Sequence, residues 1–186
     1  MRRRARPHPH RAHLAALALL ALPALASPGR AQQAAVLPAD SNTVTAEATV
    51  RALYRVISFG PGERIDTAAL RRLFLPQAVL TLRSGPTTFD VLDVSGFVAV
   101  FARADTLPAL ARSGFHETVV RLQVTPFRDI AHVFVLFEAQ VNDGSRPARR
   151  GVDSFELVRR DGRWWIVGVT NDVLTPDARV PAELAP

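Results

Sequence analysis

From Gly114 onward, apolar and polar residues alternate in four long runs, 116–126, 130–141, 150–159 and 163–171, rich in Val, Phe, Trp and Ile. A period of two puts every second side chain on one face, the pattern of a β-strand with a buried side. The linkers are short: Phe127-Arg128-Asp129, Asn142-Asp143-Gly144-Ser145 and Asp161-Gly162. A parallel return needs a crossover of a dozen or more residues, so these strands pair antiparallel as a meander. Asp-Gly between two apolar runs is the strongest hairpin signal in the chain.

Ahead of the meander the period is helical. Thr43 or Thr45 caps a helix to Ser58, with Val50, Leu53, Tyr54 and Ile57 on one apolar stripe and Gly60-Pro61-Gly62 as the stop. Asp66 opens a shorter helix that turns Leu70, Leu73 and Phe74 inward, and Pro76 is expected to end it. Residues 78–83 read as a strand, then a Ser84-Gly85-Pro86 turn and a short strand at 87–92. Asp93 or Ser95 caps a third helix carrying Phe97, Val100, Phe101 and Ala104, closed by Leu107-Pro108. The class is α+β: three helices packed on one face of an antiparallel sheet.

The charge is concentrated at one end. The chain has 186 residues, 23 basic and 17 acidic groups, and every basic residue is Arg. Six arginines lie within residues 1–31 and no acid precedes Asp40, so removing that stretch leaves 17 arginines against 17 carboxylates. Met1–Arg11 is a basic n-region, Leu14–Leu22 a nine-residue apolar run, and Ala24-Leu25-Ala26 a small-x-small cleavage pattern, with Gly29-Arg30-Ala31 as a second. These are the parts of a secretory signal peptide. The alternative is a membrane anchor, but a spanning helix needs about 20 apolar residues, and Pro23 with the small residues after it disfavours one. The expected mature chain begins at Ser27 or Gln32 and works in the periplasm or outside the cell, with no stable membrane anchor. Residues 32–42 form a flexible lead-in, 43–175 one domain and 176–186 a C-terminal tail. The near-neutral mature charge removes the basis for nucleic-acid binding.

The opening helix, the Leu70–Phe74 segment running into LPQAVLTL, and the stretches FRDIAHVFVLFEAQ, RGVDSFELVRRDGRWWIV and DGRWWIVGVTND resemble the nuclear transport factor 2-like superfamily, its SnoaL-like and ketosteroid-isomerase-like group, in an exported branch. The resemblance implies a cone, a strongly curved antiparallel sheet wrapped on three helices with an apolar pocket at its open end, and often a homodimer through the outer sheet face. It also implies, for the isomerase-type members, a carboxylate base on the first strand. That position falls near Thr81 or Leu82, where there is no acid. Tyr54 stands near the tyrosine with which those enzymes hold an oxyanion; the alternative is a core residue with a satisfied hydroxyl.

The expected pocket lining is Phe97, Phe101, Phe115, Phe134 and Leu136, with Tyr54, His116, Trp164 and Asn171 as further ligand contacts. The mature domain has two histidines, His116 and His132, and His is readily poised for proton transfer near neutrality. His132 shares strand parity with Phe134, Leu136 and Glu138. If the turn at 142–149 closes tightly, Glu138 lies opposite Asp153, and the two carboxylates with His132 make an acid–base set. The alternative is that these acids pair with Arg149, Arg150 or Arg159. Glu117 faces away from His116, so one of the two is expected at the pocket mouth. Asn171 and Asp172 end the last strand, where they either serve the pocket or start a turn. Trp164 and Trp165 alternate, one in the core and one on the sheet or an interface.

Other chemistries lack their residues. There is no Cys and no His-x-x-x-His, which disfavours a metal site, and no cofactor is implied. Ser95 and Ser113 adjoin Gly without a Gly-x-Ser-x-Gly elbow. Gly60-Pro61-Gly62 lacks the spacing and Lys of a phosphate loop. Three readings stay open: a binding module for a small apolar molecule, a lyase, isomerase or hydrolase using His132 with Glu138 or Asp153, and a non-catalytic dimerisation domain.

Overall fold

The computed structural model describes residues 41–144 and 146–185. The expected leader, and all but the end of the lead-in, lie outside the described residues. Helix α1 (Ala46–Ile57) begins where Thr45 accepts a hydrogen bond from the Ala48 amide at 3.0 Å, filling one of the orphan donors of the first turn. Its stripe of Val50, Leu53, Tyr54 and Ile57 is buried, each large aliphatic side chain contributing about 1.5–3 kcal/mol of burial. Helix α2 (Thr67–Arg71) is capped by Asp66, and α3 (Val94–Ala104) by Asp93. A fourth short helix, α4 (Pro108–Ser113), follows.

Six strands form one sheet: β1 (Phe74–Arg83), β2 (Phe89–Asp93), β3 (Phe115–Phe127), β4 (Ile130–Val141), β5 (Arg149–Arg160) and β6 (Arg163–Val173). Their order is β2-β1-β6-β5-β4-β3. The meander β3 to β6 is antiparallel, as its short turns require. At the β5–β6 hairpin Asp161 and Gly162 both take positive φ, 54° and 77°, matching the twist of the flanking strands. Extra residues at Val120 in β3 and at Val167 in β6, the latter opposite Glu156 and Leu157, bulge those two strands and curve the sheet.

Three expectations are corrected. The sheet is mixed, because β1 pairs with β6 in parallel; the whole meander separates the two strands, ample length for a parallel return. Pro76 does not end a helix. It lies inside β1, in the stretch where pairing to β6 shifts register and before pairing to β2 begins, so its missing N–H breaks no ladder. Pro108 opens α4 instead of closing α3, since proline is tolerated in a first helical turn. The helices are therefore four among the described residues, two before β1 and two after β2.

The core lies between α1, α3 and the inner face of the sheet, around Val50, Leu53, Leu80, Val133, Val135, Phe155, Leu157 and Ile166. The C-terminal segment returns across the sheet: a 3₁₀ turn at Ala182–Leu184 lies against β3 and β4, Leu184 is fully buried, and Arg121 Nη1 donates to the Ala185 carbonyl at 2.6 Å. Among the described residues no helix is long and apolar enough to cross a membrane.

Candidate functional site

The end of α1 is tied to the start of β3. Phe59 and Phe115 exchange two backbone hydrogen bonds at 2.8 Å. The Ser58 hydroxyl accepts from the Glu117 amide at 3.0 Å and donates to the Tyr54 carbonyl at 2.7 Å. This clamp fixes Tyr54, one turn back on the helix, against Glu117 on the strand. The Tyr54 ring packs on Phe137 and Phe155, with centroids 6.4 and 6.3 Å away.

The Tyr54 hydroxyl donates to Asp153 Oδ2. Asp153 stands opposite Val135 on β4 and Asn171 on β6, so all three side chains share the inner face. Asn171 Nδ2 donates to Asp153 Oδ1 at 2.6 Å. Both oxygens of a buried carboxyl thus have a donor, one from a helix and one from the neighbouring strand. Burial pushes Asp153 up to about 6, and the two hydrogen bonds pull against that rise because they favour the charged form. Tyr54 is raised well above its ordinary value, chiefly by burial and then by the Asp153 charge.

Glu117 completes the group. Its parity matches Phe115 and Val119, on the inner, helix-covered face of the sheet. Its carboxyl has no hydrogen-bond partner among the described residues, while burial, and secondarily the Asp153 charge, raise it to about 8. At neutral pH Glu117 is therefore mostly a neutral acid, and Asp153 mostly a carboxylate. Their different surroundings thus set the two carboxyls apart, Glu117 at about 8 and Asp153 at about 6.

Glu117 lines a cavity of about 340 Å³ whose walls include Leu110, Phe115, Phe137, Ala139, Val141, Asn171 and Val173, with the exposed Arg146 and Arg149 at its edge. That volume is at the lower end for small-molecule sites, roughly 300–1,000 Å³. A second depression, of about 410 Å³, lies on the other side of Glu117 between α1 and β3, with Arg51, Arg55, Glu63 and His116 around it. Its charged lining suits water. The apolar cavity is the better ligand site, and Glu117 belongs to both.

Of the residues expected from the sequence, the structure brings together Tyr54, Asp153 and Asn171, and Phe115 lines the cavity beside them. It does not bring His132 and Glu138 to Asp153. The β4–β5 register sets Glu138 opposite Arg150, three residues from the expected partner. An odd slip exchanges faces. Glu138 consequently pairs with Arg150 at 2.9 Å, and His132 meets Ser154 Oγ at 3.0 Å, both on the outer face. Phe134 stacks near His132 on that face, 5.7 Å between ring centres, and Leu136 shares its parity, so neither lines the cavity. Phe97 is a core residue between Phe74 and Phe101, at 5.5 and 5.0 Å. Trp164 is buried below Arg159 rather than in the cavity, and Trp165 is stacked by Arg163 at 3.9 Å. His116 is exposed at the rim of the second depression. Asp172 turns away from Asn171 and pairs with Arg83 at 2.7 Å.

The role of Glu117 was half visible in the sequence: an acid between Phe115 and Val119 on an apolar parity. Its coupling to Asp153 was not, because that depends on two separate registers. Among the described residues no cluster of three His, Cys, Asp or Glu side chains is placed to hold a metal ion.

No protein-family model matches the chain, and no curated protein matches it. Solved structures do. A protein of unknown function with a cystatin-like fold from Nostoc punctiforme superposes with a TM-score of 0.54 at 11% identity, over 70% of this chain and 89% of that one. Another cystatin-like fold, from Methylobium petroleophilum, gives 0.53 at 19% identity, over 74% and 81%. An NTF2-like protein with a cystatin-like fold from Novosphingobium aromaticivorans gives 0.51 at 19% identity, over 61% and 72%. The chain has the NTF2-like fold. The likeness carries the architecture alone, since one fold hosts many functions.

Proposed function

We propose that this NTF2-like domain binds a small, mostly apolar molecule in the 340 Å³ cavity. The observation that carries the reading is Glu117: a carboxyl raised to about 8, without a hydrogen-bond partner among the described residues, on the wall of an apolar cavity. A neutral carboxylic acid there offers a hydrogen bond to one oxygen of a ligand, and the apolar wall takes the rest. Asn171, also on the wall, is held by its hydrogen bond to Asp153, which Tyr54 binds in turn. Thermal-shift screening against steroids, aromatic polyketide-like compounds and fatty acids tests this. Stabilisation by a member of one class, abolished in Glu117→Leu, is expected; no shift with any class ends the reading.

One observation favours acid–base catalysis in the same cavity, the separation of Glu117 and Asp153 to about 8 and about 6. A lyase, isomerase or hydrolase on this site uses Glu117 as the proton donor near neutral pH and, once ionised above about pH 8, as the base that takes the proton from carbon, in place of the His-carboxylate pair expected from the sequence. Deuterium exchange next to the carbonyl of cyclic ketones, followed by NMR in D₂O, reads that activity. Exchange in the wild type that is lost in Glu117→Gln supports it, and background exchange in both removes it.

The leader's three-part organisation supports export. Amino-terminal sequencing of native material should return Ser27 or Gln32, and Met1 overturns the proposal. Assembly as a homodimer is proposed on the outer face of β1 and β2, where Val79 and Val91 are 52% and 69% exposed. Light scattering that gives the monomer mass ends it.

A further inference from the structure

Arg146 and Arg149 stand at the edge of the apolar cavity. Both are exposed, and neither takes part in any of the ion pairs among the described residues. Their neighbours differ. Arg150 is held by Glu138 at 2.9 Å and Arg159 by Asp129 at 2.7 Å, both with outer-face or turn carboxylates. Strand parity makes the distinction: Arg150 points outward, whereas Arg149 is opposite Ala139, which is opposite Glu117, so the three lie in one row on the inner face. Across two strand spacings, Glu117 and Arg149 are separated by about 10 Å along that row. Glu117 does not satisfy the arginine, since its rise to about 8 comes from burial and Asp153 and leaves it mostly neutral at pH 7.

The cavity therefore has an uncharged hydrogen-bond donor within it, apolar walls, and cations at one edge. We propose that its ligand is an apolar molecule about the length of one ring and a short chain that ends in an oxyanion. The body lies against Phe115, Phe137 and Val173, and the anionic oxygens meet Arg149 and Arg146. This deepens the ligand-binding reading above and rests on it. Guanidinium groups bind carboxylate and phosphate oxygens through paired N–H donors, so the shared chemistry is an oxyanion at the end of an apolar body. The mature chain is near neutral, so attraction comes from these two side chains and not from a general basic field.

The test uses 4-phenylbutyrate, its methyl ester and 3-phenylpropyl phosphate, titrated calorimetrically into the full mature domain. Wild type should bind the two anions about fivefold to tenfold more tightly than the ester, as expected for two solvent-facing charge contacts. The preference should shrink as NaCl is raised, because exposed charges are screened beyond about 8 Å at physiological salt. In the double variant Arg146→Gln, Arg149→Gln it should fall below about twofold, while Arg150→Gln, on the opposite face, keeps it. The rank of carboxylate against phosphate identifies the favoured oxyanion. Ester and anions binding equally overturns the anion proposal and leaves the cavity reading standing. If none of the three probes binds, the anion proposal falls, and if the wider screen also shows no shift, the cavity reading falls with it.

Discussion

Asn171 faces Asp153 across the β5–β6 ladder and donates to its Oδ1 at 2.6 Å, while the Tyr54 hydroxyl of α1 takes the other oxygen. Helix and sheet are thus joined at a buried carboxyl with both its oxygens in use. Tyr54→Phe should leave Asp153 Oδ2 without its donor and destabilise the domain by about 1–3 kcal/mol. Urea unfolding at pH 7.5 checks the stability. A carboxyl NMR titration should show Asp153 moving above its present value of about 6, because one of the bonds that favours its charged form is gone.

Glu117 and Asp153 make stability fall as pH rises. Both have folded-state pKa values above their ordinary ones, about 8 against 4.5 and about 6 against 3.8. Between the ordinary and the raised value the folded chain holds a proton that the unfolded chain has released, so the stabilising effect is full below about pH 4. It is lost as pH passes 6 and then 8. Urea midpoints across pH 5–9 should therefore decline, and in Glu117→Gln the decline between pH 6 and 8 should flatten.

Gly151 is a place where only hydrogen fits. A Cβ there would stand 2.3 Å from Phe137 Cζ and 2.5 Å from the Asp172 carbonyl oxygen. Gly151→Ala should push the Phe137 ring toward the cavity and cost about 1–3 kcal/mol, the usual range for overpacking. A lower thermal midpoint, together with weaker ligand-induced stabilisation than wild type, is the expected result.

Leu184 seals β3 and β4 from the outside. Truncating a fully buried leucine leaves a cavity, and Leu184→Ala should cost about 2 kcal/mol, nearer the lower end because a terminal segment relaxes easily. Hydrogen exchange should quicken in the β3–β4 hairpin before it does so in β6.

The caps at Thr45, Asp66 and Asp93, the apolar stripe of α1 and the four-stranded meander were legible in the sequence because each depends on residues close together in the chain. Pro76 was misleading for the same reason. Read locally it stops a helix, and only the absent β2 partner at that height allows it to sit in a strand. The site was half legible. Tyr54, Asp153 and Asn171 stood among the candidates, but Asp153 was assigned to the wrong partners.

What local sequence determined, then, is the class of the fold and the set of polar residues from which a site is made. Which of them meet was decided by tertiary structure, through the β4–β5 register. The connection from 142 to 148 sets Glu138 against Arg150, and that offset sends His132 and Glu138 outward while Asp153 stays inside with Tyr54 and Asn171. A strand's side chains alternate whatever its neighbour does; the choice of face follows from how much apolar surface each register buries, a property of the whole sheet and of the helix packed on it.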